Sequence, residues 1–211
     1  MKNILCYGDS NTFGWDPDRL VRLDRDTRWP GVLRNRLGTG YHVMEEGLPG
    51  RTTVWADHSM GLMSGADYLY PCLFSHQPLD LVILMLGTND TKPMFGVTPV
   101  DIARGMDQLM RKVASFRTEF MPEPPSMLLI SPARIIDPKD RFVQMFQGAD
   151  LKSAELGSRY RELAAQYGAL FLDAAALVEP SPADGIHLNE ASHRVLGEAV
   201  ASMVADFFAT R

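Results

Sequence analysis

Leu79-Asp80-Leu81-Val82-Ile83-Leu84-Met85-Leu86 is a strand-length apolar run, and Gly87-Thr88-Asn89-Asp90 follows it without a break. Leu79–Leu86, with Leu81, Val82, Ile83, Leu84 and Met85 in sequence, reads as a strand apolar on both faces. A strand of this kind is covered on both sides, as happens in a parallel sheet between two helical layers. Met127–Ile130 reads the same way. Asn3–Gly8 reads as a first strand, Tyr41–Glu45 as a second and Ala169–Leu172 as a fifth.

Helical patterns fill the intervals. Trp29–Leu37 predicts a short helix with Pro30 in its first turn, where a missing N–H is tolerated. Thr98 has the character of an N-cap with Asp101 three residues on, and Ile102, Met106, Leu109, Met110, Val113 and Phe116 follow as a stripe. At the end of the chain Val195, Leu196, Ala199, Val200, Met203, Val204, Phe207 and Phe208 share one helical face, read as the face that packs on the sheet. Alternating strands and helices imply an α/β fold, a doubly wound five-stranded parallel sheet in a single three-layer α/β/α domain over residues 1–211. Ligands of such sheets bind beyond the carboxyl ends of the strands, so functional residues are sought directly after strands.

Composition narrows the class. Among 211 residues, 45% are hydrophobic and 22% charged, which suits a soluble globular protein with an ample core. The net charge of -5 and the lack of a basic stripe argue against nucleic acid or an anionic membrane surface as partner. The apolar stretch at the N-terminus is too short for a signal peptide, and no run approaches the roughly 18 apolar residues of a membrane span. The cytoplasm is the expected compartment. A disulfide between the two cysteines, Cys6 and Cys72, is left open.

Three polar clusters follow predicted strands: Gly8-Asp9-Ser10-Asn11, Gly87-Thr88-Asn89-Asp90 and Asp184-Gly185-Ile186-His187. A fourth segment, Glu46-Gly47-Leu48-Pro49-Gly50-Arg51-Thr52, follows the second strand. Acyl transfer to a serine needs a base beside the hydroxyl, an acceptor to orient that base, and donors for the developing oxyanion. Ser10, His187 and Asp184 supply the first three groups. The backbone N–H groups of Ser10 and Gly50 and the Asn89 amide supply the donors. The other histidines, His42, His58, His76 and His193, lack comparable sequence neighbours. The sequence around Ser10 lacks the second glycine of a nucleophile elbow, and Gly8…Gly14 lacks dinucleotide-loop spacing.

Taken together, the four blocks resemble the SGNH, or GDSL-type, hydrolase family over essentially the whole chain. Gly8-Asp9-Ser10 resembles its first block, Gly50 its oxyanion glycine, Asn89 its oxyanion asparagine, and Asp184 with His187 its Asp-x-x-His. Glu45-Glu46-Gly47-Leu48, Arg51-Thr52-Thr53 and Leu86-Gly87-Thr88-Asn89-Asp90-Thr91-Lys92 are similar to the arylesterase and acyltransferase branch typified by the mycobacterial acyltransferase. The resemblance implies a flavodoxin-like fold, a small-molecule ester as substrate, hydrolysis of short acyl chains with acyl transfer as a side activity, and a homo-oligomer. Some relatives are carbohydrate acetylesterases. It implies no cofactor and no metal. One departure stands out: Glu45-Glu46 replaces the asparagine that often precedes the oxyanion glycine, and Arg51 is a candidate partner for Glu46.

Some readings stay open. Trp15 is a wall of the acyl pocket or a loop anchor, and Phe95 is a second candidate for the pocket. The segment 133–147, with Arg134, Ile135, Ile136, Phe142, Met145 and Phe146, is a lid, a subunit contact or a packed loop. The rival readings are a metal-dependent phosphoesterase using Asp9, Asn89, Asp90, Asp184 and His187, a carbohydrate- or acyl-binding module, and a lysophospholipase or thioesterase.

Overall fold

The computed structural model describes residues 1–61 and 64–210. Strands β1 (Lys2–Gly8), β2 (Tyr41–Gly47), β3 (Leu81–Met85), β4 (Ser126–Ser131) and β5 (Leu170–Asp173) form one sheet in the order β2-β1-β3-β4-β5. Every pairing in it is parallel. The chain leaves β1 toward β2 and then returns to β3 on the other side, so the order reverses at β1. The register sets Gly8 beside Gly47 on one side and Met85 on the other. The loops that leave these three strands therefore emerge together at the switch point, where ligands of such sheets bind.

The helices are α1 (Ser10–Phe13), α2 (Trp29–Leu37), α3 (Gly65–His76), α4 (Pro99–Ala114), α5 (Phe142–Met145), α6 (Ala149–Tyr167) and α7 (Glu190–Ala209). The period of two along each strand divides the core. Leu5, Tyr7, Val82, Leu84 and Leu129 face α3, α4 and α6, meeting Leu69, Ile102, Met106, Leu156 and Tyr160. Ile4, Cys6, Leu81, Ile83 and Leu128 face α2 and α7, meeting Trp29, Leu33, Leu196 and Val200. All of β3 is buried, which explains its unbroken apolar run. Cys6 and Cys72 belong to opposite cores and are both free, so the disulfide left open by the sequence is ruled out.

The cap expected at Thr98 is present: the Asp101 N–H donates to Thr98 Oγ1 at 3.3 Å, and the Thr98 N–H donates back to Asp101 Oδ2 at 3.0 Å. The stripe behind it is buried, with Phe116 entering the core just past the end of α4. The face predicted for α7 needs a correction. Leu196, Val200 and Val204 are fully buried, but Val195 is 39% exposed. His193 and Gly197 take the inward positions instead. At Gly197 the two helices nearly touch, since a Cβ there would lie 2.6 Å from Val32 Cβ and 2.8 Å from the Trp29 carbonyl. His193 is fully buried and accepts the Trp29 N–H at Nδ1 (3.2 Å). Burial pushes its pKa down to about 3, with the charges of His187 and Arg28 adding and that of Asp16 opposing.

Candidate active site

Where β1 ends, the chain turns straight into α1. Asp9 caps that turn by accepting the Asn11 N–H at 2.9 Å, and Ser10 becomes its first helical residue. Gly8 permits the tight exit, because a Cβ there would sit 2.0 Å from Thr12 Oγ1. Asp9 is almost completely buried, and burial raises its pKa to about 6 against the lowering effect of the Asn11 N–H.

The loop before α7 brings His187 to Ser10. His187 Nε2 lies 2.9 Å from Ser10 Oγ, and His187 Nδ1 lies 2.5 Å from Asp184 Oδ2. Asp184 Oδ1 accepts the backbone N–H groups of Ile186 and His187, both at 2.9 Å. Gly185, with φ at 74°, supplies the left-handed turn that folds the carboxylate back onto those amides. Burial acts to raise the Asp184 pKa, but the bond from the His187 ring, that group's charge and the two backbone donors hold it below the usual carboxylate value. A base hydrogen-bonded to a hydroxyl and oriented by a carboxylate is the arrangement that nucleophilic acyl transfer requires.

The segment after β2 approaches from the other side. Gly50 turns through a φ of 84°, and Asn89 Nδ2 donates to the Arg51 carbonyl at 3.1 Å. Arg51 Nη1 donates to the Gly8 carbonyl at 2.9 Å and also to the Glu46 carbonyl, tying the ends of β1 and β2 together. The Arg51 guanidinium lies 4.1 Å from the centre of the Tyr7 ring. Asp90 is fully buried and accepts the Thr53 N–H at 2.9 Å, with the Thr53 hydroxyl donating as well. Arg51 is thus a backbone fastener, and the side-chain partner of Glu46 is His76, with Nε2 2.7 Å from Oε1. Glu45 is paired with Arg28 and, at 2.8 Å, with Arg34. The acidic pair is engaged away from Gly50, whose loop is held by Arg51 and Asn89.

Residues 6–195 match the sequence model of the GDSL-like Lipase/Acylhydrolase family. The chain belongs to that family. It is 41% identical to the aryl esterase of Mycobacterium smegmatis, covering 98% of this chain and 99% of that one with a TM-score of 0.94. It is 40% identical to Est24, a carbohydrate acetylesterase from Sinorhizobium meliloti, covering 98% and 100% of the two chains at the same TM-score of 0.94. An acetylxylan esterase of Xylanibacter ruminicola is 25% identical over 95% of this chain, which spans 42% of that relative's length. The protein is an esterase with the SGNH hydrolase fold.

In this GDSL-family esterase, Ser10, Gly50, Asn89 and His187 line one cavity of about 410 Å³. Trp15, Phe142, Met145, Phe146, Phe13 and Ile186 give it largely apolar walls. The Trp15 and Phe142 rings stand edge-on to His187, with centroids 6.4 and 5.8 Å away. Phe95 does not line the cavity; its ring packs against the core on the α3–α4–α6 side. In the segment 133–147, Ile135 and Phe146 bury themselves with Ala149 and Ile186, while Ile136, Val143 and Met145 are exposed. Its short helix α5 walls the cavity. Sequence reasoning missed Lys92, which lines the cavity while its Nζ lies 3.6 Å from Asp57 Oδ2, and it gave no role to Asn11. An alternation of residue types carries no signal for either.

The divalent-metal alternative fails on geometry. Asp9 is engaged with Asn11, Asp90 with Thr53 and Asp184 with His187. Among the described residues, the group that brings three ligand atoms within 4.8 Å of one another is Glu46, Cys72 and His76. There the carboxylate and imidazole bond each other, and burial pushes the Cys72 thiol up to about 12.

Proposed function

We propose that the chain is a serine esterase acting on small acyl esters, acetyl esters foremost, with Ser10 as nucleophile, His187 as general base and Asp184 as its orienting carboxylate. The observation that carries this reading is the continuous relay from Ser10 Oγ through His187 to Asp184, at 2.9 and 2.5 Å. His187 Nε2 accepts the Ser10 proton as Oγ attacks the ester carbonyl. The Ser10 and Gly50 N–H groups and the Asn89 amide hold the oxyanion. Asn89 Nδ2 carries two hydrogens, and the bond to the Arg51 carbonyl uses one of them. The other is available to the oxyanion, and its carrier is held still. His187 then protonates the departing alcohol and activates water, or a second alcohol, against the acyl-enzyme. Water yields hydrolysis, and an alcohol yields acyl transfer.

The apolar walls that stand beside His187 suit the acyl group of an ester. The aryl esterase and carbohydrate acetylesterase relatives point the same way. We carry forward the homo-oligomer as the assembly state, to be checked by light scattering. The test of function is hydrolysis of p-nitrophenyl esters from acetate to octanoate by wild type and Ser10→Ala, with and without chelator. Chelator-resistant activity that is highest on acetate and lost in Ser10→Ala is expected. Activity that persists in Ser10→Ala, or disappears with chelator, defeats the assignment.

A further inference from the structure

We infer that Asn11 is a positioning residue that sets the distance between nucleophile and base; the inference rests on the roles proposed above for Ser10 and His187. Asn11 follows Ser10 directly in α1, is 3% exposed and has its own N–H fixed by Asp9. Its side chain reaches a loop far along the chain. Asn11 Oδ1 accepts the Leu188 N–H at 2.9 Å, and Asn11 Nδ2 donates to the Ile186 carbonyl at 3.5 Å. The Ile186 carbonyl belongs to the peptide unit before His187, and the Leu188 N–H to the unit after it. One planar amide therefore grips both peptide units of the base.

This grip differs from that of Asp184. Asp184 lies on the same loop as His187 and orients the ring within it, moving wherever the loop moves. Asn11 is anchored on the nucleophile's own turn. Among the described residues, the hydrogen bonds that join α1 to the segment 181–189 are those two and the Ser10–His187 bond itself. Without Asn11, the hydrogen bonding between α1 and that segment among the described residues would come down to the Ser10–His187 bond, whose strength catalysis needs. A displacement of about 1 Å at such a contact is enough to cost on the order of 100-fold in rate. Loss of the amide should therefore lower turnover more than substrate binding, since Asn11 is absent from the cavity lining.

The experiment compares Asn11→Ala and Asn11→Asp in the wild-type and His187→Ala backgrounds, using p-nitrophenyl acetate, with thermal melts to establish folding. Asn11→Asp keeps the acceptor for the Leu188 N–H and serves as the second variant if Asn11→Ala does not fold. In the wild-type background, kcat should fall about 10- to 100-fold with KM within about threefold. In the His187→Ala background, the same substitution should change the residual rate less than about twofold, because there is no base left to position. A merely structural role would lower both backgrounds by the same factor, and that result overturns the inference, as does wild-type kcat in a folded variant. Ser10→Ala is run alongside. Retained activity there overturns the serine-esterase reading itself, whereas an inactive Ser10→Ala with a fully active Asn11→Ala overturns the role of Asn11 alone.

Discussion

Asp184 uses its two carboxylate oxygens on different parts of His187: Oδ2 meets Nδ1 of the ring at 2.5 Å, while Oδ1 accepts the His187 backbone N–H at 2.9 Å. The ring and the peptide that carries it are thereby oriented by one group. Asp184→Asn preserves an acceptor for the backbone but sets an amide donor against Nδ1. That favours the tautomer protonated at Nε2, which cannot accept the Ser10 proton. Steady-state kinetics on p-nitrophenyl acetate should show kcat lower by about 10⁴. A loss under tenfold would remove Asp184 from the assigned role.

Asn89→Ala takes away the amide that the Arg51 carbonyl holds beside Gly50. Turnover is expected to fall about 100- to 1,000-fold. Labelling of Ser10 by a planar acylating agent should slow to the same degree. Unchanged turnover would show that the oxyanion is held without Asn89.

Phe142 closes the cavity beside His187. Phe142→Ala should enlarge the acyl space and move the preference along the p-nitrophenyl series from acetate toward butyrate or hexanoate. An unchanged chain-length profile would place the acyl group elsewhere.

His193 titrates against stability. Its pKa falls from 6.5 to about 3 on folding, chiefly by burial. Above pH 6.5 it is neutral in both states. As pH falls below 6.5, the unfolded chain takes up a proton that the folded protein refuses, so stability is lost progressively toward pH 3. Protonation would also remove the Nδ1 acceptor of the Trp29 N–H. Urea unfolding at stepped pH should show wild type losing stability faster than His193→Gln over this interval. Parallel curves would assign acid sensitivity to other groups.

Gly197→Ala tests the contact between α2 and α7. The added methyl would press on Val32 and the Trp29 carbonyl. Urea unfolding is expected to show a loss of about 1–3 kcal/mol, with kcat on p-nitrophenyl acetate unaltered. A neutral or stabilising result would mean that the helices separate freely.

Much of the architecture is legible in local pattern. An apolar run such as Leu81–Met85 has one stable setting, and the capping box at Thr98 declares a helix from four residues. The run from Leu79 to Leu86 overstates the strand, because the Leu79 N–H bonds Met121 Sδ and Asp80 turns its carboxylate to the Asn3 N–H. The α7 stripe is less reliable at Val195, since periodicity cannot tell which helix edge meets α2. Neighbours across the fold are harder still. Nothing near Glu46 in sequence points to His76 over Arg51, and nothing near Phe95 shows that it packs against the core and not on the cavity.

By itself, then, the sequence determined the layered parallel sheet and the four polar blocks at its carboxyl edge, because hydrophobic period and strand-exit position are properties of short segments. The tertiary structure decided how those blocks meet: the 2.9 Å approach of His187 to Ser10, the grip of Asn11 on both sides of that histidine, and the α5 wall. Side chains 177 residues apart become neighbours only when strand register and helix packing place them, and no local pattern encodes that distance.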